Sequence, residues 1–166
     1  MKILRPMTTL ALLTFAAFSL TAQQDVTPAS FTVRGVGDKT VVVTSADLAK
    51  LPQQTIKTAD HGKPATFEGV LLRDVLAKVD LPVGDKYHSS AASYYLLAEG
   101  KDGYRAVYAW AELDAEFMDK PIYVVTQRDG KPLPGNAKPF QLVAPGEKRG
   151  GRWLRQLTSL TIKQAN

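Results

Sequence analysis

The residues best equipped for chemistry lie close together near the C-terminus. Residues 145–155 read Pro-Gly-Glu-Lys-Arg-Gly-Gly-Arg-Trp-Leu-Arg, flanked on both sides by apolar, strand-like sequence. Gly150 and Gly151 let the backbone approach a ligand closely, and concave runs of N–H groups favour oxyanions. Lys148, Arg149, Arg152 and Arg155 supply cations, and the arginines offer planar, bidentate donors. Trp153 offers a flat face on which a heterocycle can stack. These residue types suit a flat, polar small molecule, neutral or anionic. A solvated basic loop with Trp153 in the core fits the same residues, and residue chemistry leaves both readings open.

Other chemistry is scarce. The chain has no Cys and two His residues, His61 and His88. That removes thiolate metal sites, iron–sulfur clusters and thiol catalysis, and argues against a His-rich zinc site. No Ser lies in a nucleophile elbow of the G-x-S-x-G type. Three carboxylates, Asp60, Asp102 and Glu147, stand near glycines and can accept hydrogen bonds from a ligand. His61, beside Asp60, can line a pocket or switch with pH; an exposed loop histidine is the plainer alternative.

The elements that must position these groups read as short strands with a few short helices. Phe31–Thr44 suggests two strands around a Gly37-Asp38 turn. Ser45 is expected to cap a helix from Ala46 to Lys50, stopped by Pro52. Thr55–Thr58 alternates like a strand, and Ala59–Pro64 reads as a loop. Phe67–Val70 leads into a helix whose apolar stripe is Leu71, Leu72, Val75, Leu76 and Val79. Ser93–Ala98 and Tyr104–Tyr108 are strands joined by a turn at Gly100–Gly103. Trp110–Phe117 reads as a helix and Pro121–Gln127 as a buried strand, followed by a turn at Asp129-Gly130. Phe140–Ala144 and Leu157–Ile162 are the last strands. Without a βαβ rhythm, the fold class expected is α+β, mostly β, in a single domain.

Of the 166 residues, 21 are basic and 16 acidic, a net charge of +5. Lys2 and Arg5 precede an uncharged apolar run, Thr8–Leu20, and a small residue, Ala22, which is the pattern of a cleavable signal peptide. The run is shorter than the roughly 20 residues that span a bilayer. The expected organisation is therefore a signal peptide at 1–22 and a folded domain at 23–166, exported to the periplasm with no membrane insertion after cleavage. Without Lys2 and Arg5 the balance is 19 basic against 16 acidic residues, too even to suggest a nucleic-acid partner.

Residues 139–162, PFQLVAPGEKRGGRWLRQLTSLTI, resemble the end of the sulfite-oxidase-fold molybdopterin-binding domain, where an RLVVPG-type strand leads into a G-A-R loop and a K-W-L-T strand. Other matches occur in order: Ser45–Pro52 resembles its S-x-x-D-L-x-x-L-P lead-in and Phe67–Leu76 its T-G-V-P-L-R-D-L-L segment. Asp102-Gly103-Tyr104 is similar to its D-x-Y step, and Pro121–Pro134 to its L-A-x-x-x-N-G-x-P-L-P segment. The resemblance covers about residues 31–162. It implies that Gly150, Gly151, Arg152, Trp153 and Arg155 form the loop that holds a pterin and its phosphate. It also puts Asp102 and Tyr104 on the strand edge facing them. A pterin presents an amino group and a ring N–H side by side, which one carboxylate can accept together; Asp60, Asp102 and Glu147 are the candidates. Lys148 and Arg149 suit a phosphate or an acidic partner.

The chain departs from that family on the metal side. The family's molybdenum is held by a dithiolene and one protein thiolate; the matching region here is Ala59-Asp60-His61-Gly62, without a thiol. Gln141 stands where a substrate-site Arg is expected. The resemblance with these departures implies a non-catalytic, sensory or regulatory pterin-binding module without molybdenum, passing ligand status to a membrane signalling protein. The alternatives are a molybdopterin-dependent oxidoreductase or its subunit, with His61 in the thiolate's place, and an interaction module with no small ligand.

Overall fold

A computed structural model describes residues 28–37, 39–82, 90–115, 117–118 and 120–165. The expected signal segment, 1–22, lies outside the described residues, as do Asp38 and His88. No helix among the described residues is long and apolar enough to cross a membrane.

Among the described residues, ten strands form two sheets. The first has the order β2 (Thr40–Thr44), β1 (Ser30–Arg34), β10 (Leu157–Gln164), β5 (Tyr94–Gly100), β6 (Arg105–Ala109). In the second, β3 (Gln53–Asp60) pairs with β4 (Lys63–Leu71) and β4 with β7 (Tyr123–Arg128). The far side of β7 is shared by β8 (Lys131–Pro132) and β9 (Gln141–Val143). All these pairings are antiparallel except β1 with β10. The helices are single turns: α1 (Ser45–Leu48), α2 (Leu72–Leu76) and α3 (Trp110–Leu113). The architecture is thus mostly β with short helices, as the sequence pattern suggests.

Period-two alternation sets the core. Phe31 and Val33 of β1, Leu96 and Ala98 of β5, and Ala106 and Tyr108 of β6 turn inward, between exposed or half-buried neighbours. In β10 the inward residues Leu157 and Leu160 break the alternation. The register slips between Leu157 and Ser159, which leaves Thr158 extra and restores the phase. Both sheets contribute to one continuous buried cluster. Phe31 meets Phe140 edge to face across it, with ring centroids 5.1 Å apart.

Several local expectations need correction. The helix N-cap is Thr44, one residue earlier than expected: its hydroxyl and amide bond to Asp47, and the Asp47 amide bonds back to the Thr44 hydroxyl. The strand expected at Thr55–Thr58 runs from Gln53 to Asp60, and the expected loop at Ala59–Pro64 is a two-residue hairpin turn. There His61 and Gly62 both take positive φ, +50° and +79°, so Asp60 pairs with Lys63. Phe67–Leu71 belongs to β4, and helix α2 begins only at Leu72. Trp110 starts a helix that ends at Leu113, not at Phe117.

Candidate functional site

The basic loop runs from the end of β9 to the start of β10 and closes on itself. The amide of Leu142 donates to the carbonyl of Leu154 at 2.8 Å, and that of Leu157 to Phe140 at 3.0 Å. Between these ties, Gly150–Arg152 forms one 3-10 turn. The indole Nε1–H of Trp153 donates to the Ala144 carbonyl at 3.0 Å, across the neck of the loop.

Two tyrosines fasten the turn to the β5–β6 hairpin. The Tyr104 hydroxyl donates to the Gly151 carbonyl at 2.6 Å, and the Tyr108 hydroxyl to the Arg152 carbonyl. Burial pushes the Tyr108 phenol well above its ordinary pKa, so it stays protonated and able to donate. On the hairpin, Asp102 Oδ1 accepts from the Tyr104 amide at 3.0 Å and fixes the tight turn. Gly100 is required just before it: a Cβ there would lie 2.7 Å from the Arg155 carbonyl and 2.9 Å from Asp102 Oδ1.

These pieces leave a cleft of about 280 Å³, lined by Asp60, His61, Asp102, Tyr104, Gln141, Gly150, Gly151, Trp153 and Arg155. Eight of the twelve residues singled out in the sequence meet there, from three segments far apart in the chain. Asp60 is nearly buried and bridged by Arg128, whose Nη1 lies 2.5 Å from its Oδ2. His61 stands at the rim with its side chain 75% exposed, 3.6 Å from Asp60. Arg155 is exposed and also lines the cleft.

The placement corrects the sequence reading in two respects. Arg152 and Glu147 do not line this cleft. The Arg152 guanidinium forms a two-pronged pair with Glu112, at 3.1 and 2.8 Å, and reaches Glu147 and the Val107 carbonyl as well. It lies over the Tyr108 ring, 4.8 Å from its centroid. Its hydrogen bonds hold the Glu112 carboxyl below the ordinary range, and the two carboxylates raise the arginine's own pKa. Arg152 is therefore a clamp between the loop and α3. Trp153 is also not a free stacking platform. It is 7% exposed, its indole meets Phe67 edge to face, and Gly150 lies against the ring. The ring left half exposed at the cleft is Tyr104, at 50%. Lys148 and Arg149 are exposed and outside the cleft lining.

Sequence reasoning missed three residues. Glu112 and Arg128, the partners of Arg152 and Asp60, lie 40 and 68 positions from them, and nothing in the sequence links either pair. Gln141 was noted only as a departure from an expected arginine; it lines the floor of the cleft.

This is a sulfite-oxidase-type fold with a ligand-sized cleft at its basic loop. The chain superposes on the sulfane dehydrogenase SoxCD from Paracoccus pantotrophus with a TM-score of 0.64 and 18% identity, over 82% of its own length and 38% of that chain. At that identity the likeness is one of fold, and the chain spans well under half of the SoxCD chain it matches. No protein-family model matches the chain. No curated protein matches it either.

The fold implies a molybdenum cofactor, and the donor set does not fit the metal. The chain has no Cys, and among the described residues no three His, Cys, Asp or Glu side chains gather to hold an ion. His61, at the turn where the thiolate is expected, is exposed and faces Asp60. Beside it the cleft is lined by glycine backbone, Tyr104 and Arg155.

Proposed function

We propose that this chain is a non-catalytic module that binds a pterin or a similar flat heterocycle in the cleft. The module acts in the periplasm and relays ligand status to a membrane signalling protein. The observation that carries the reading is the convergence on one cleft of Asp60 and His61, Asp102 and Tyr104, and Gly150, Gly151, Trp153 and Arg155. Tyr104 offers the stacking face, and Arg155 a cation at the edge. The glycine backbone permits close approach, and the carboxylate of Asp102 can accept ring N–H and amino donors.

The test is a fluorescence titration of the full-length protein with pterin. Saturable binding that weakens in Tyr104→Ala supports the reading; absence of a response overturns it. The fold likeness to SoxCD favours a second reading, a molybdopterin oxidoreductase or a subunit of one. Near-stoichiometric molybdenum in protein from a cofactor-competent host would favour that reading.

A further inference from the structure

Gln141 is the one polar side chain buried among the described residues, 5% exposed, on a strand whose other members, Leu142 and Val143, are fully buried. Its backbone is held by β7, in register with Val125. Its side-chain amide has no hydrogen-bond partner among the described residues. The only sealed-off side-chain nitrogen or oxygen without a partner there is Trp110 Nε1. The Gln141 amide therefore keeps some access to solvent, and the space it borders is the cleft. A buried amide with two donors and an acceptor left unpaired is destabilising unless a ligand or water completes it.

The charges around it are balanced. Asp60 is bridged to Arg128, and the rest of the lining adds one charge of each sign, Asp102 and Arg155. Nothing at the floor concentrates positive charge for an oxyanion. A primary amide is matched in one plane by a cis-amide edge, a ring N–H beside a C=O: Gln141 accepts from the N–H and donates to the carbonyl.

We propose that Gln141 is the specificity-determining residue of the cleft, and that the ligand is a neutral, flat heterocycle presenting a lactam edge to it. This rests on the cleft being a ligand site, as argued above, and adds which edge enters first. Pterins, lumazines and purinones share that edge; oxyanions and plain aromatic bicycles lack it.

The test compares lumazine, which has the lactam edge, with quinoxaline, a bicycle of similar shape without it, and with sulfate. All are titrated against full-length protein at mildly acidic pH, where lumazine is neutral. The expected result is lumazine binding at least tenfold tighter than quinoxaline, with no response to sulfate. In Gln141→Leu the preference disappears through loss of lumazine affinity, while quinoxaline stays within twofold and thermal stability does not fall. Gln141→Met, unbranched and of similar length, serves if the leucine variant does not fold. Equal binding of the two bicycles to the wild type overturns the edge assignment and leaves the cleft standing. So does a preference that survives in the variants, or a variant that only loses stability. Binding of neither bicycle overturns both proposals.

Discussion

The Tyr104 hydroxyl reaches 2.6 Å across to the Gly151 carbonyl, so one side chain ties the β5–β6 hairpin to the basic loop and presents its ring to the cleft. Two substitutions separate these roles. Tyr104→Phe keeps the ring and loses a neutral hydrogen bond; stability should fall by about 1 kcal/mol in a denaturant melt, with pterin affinity lowered only a few-fold. Tyr104→Ala also removes the stacking face, which contributes about 1–3 kcal/mol to ring binding. Affinity should then fall roughly tenfold or more. Equal losses in both variants would remove the ring from the account.

Arg152 answers to stability rather than to ligand contact. Arg152→Ala leaves Glu112 and Glu147 facing one another without their shared cation and frees the Val107 carbonyl. The pairs are partly exposed, so the expected loss is about 1–3 kcal/mol in a denaturant melt. Arg152→Lys should recover little of it, because an ammonium cannot span both oxygens of Glu112. A stable Arg152→Ala protein with abolished pterin binding would put the guanidinium back at the ligand.

Asp47 gives the fold an acid-sensitive cap. Hydrogen bonds from the Thr44 hydroxyl and amide hold its carboxyl at about 2, below the model-compound value of 3.8. A depressed folded-state pKa stabilises above the unfolded value and loses that contribution as pH falls through the folded one. Stability should therefore drop between about pH 4 and pH 2. Asp47→Asn should be less stable than wild type at neutral pH and lack this part of the fall. Parallel pH profiles for the two proteins would contradict the assignment.

Gly100 guards the geometry of the cleft. A methyl group there presses on the Arg155 carbonyl and on the Asp102 carboxylate, which the Tyr104 amide holds in place. Gly100→Ala should cost about 1–3 kcal/mol in a denaturant melt and weaken pterin binding in the fraction that folds. Gly151→Ala, with nothing within 4 Å of its Cβ, should leave stability nearly unchanged. The opposite order of effects would contradict the packing described.

Much of this was legible in the chain. Alternating apolar residues marked Phe31–Thr44 and Tyr104–Tyr108 as strands, because a half-buried sheet imposes period two on its side chains. The His61–Gly62 turn was not readable, since a histidine at positive φ carries no strong sequence signal and the hairpin closes through β3–β4 pairing. The meeting of Asp60, Asp102 and Arg155 followed from ordered motifs rather than spacing. Where Arg152 points did not follow: Glu112 and Glu147 attract it away from the cleft, and Glu112 lies 40 residues away in sequence. Trp153 was rightly weighed as either core or ligand face. The Ala144 carbonyl and Phe67 hold it mostly in the core.

The central claim is a heterocycle held without molybdenum. The most direct measurement takes one sample of full-length protein, purified from a host that makes the molybdenum cofactor, and determines bound small molecules by mass and metal by elemental analysis. The account predicts a flat, lactam-bearing heterocycle bound to the protein and essentially no molybdenum. Near-stoichiometric molybdenum, or protein that carries no heterocycle and does not respond to added pterin, would contradict it.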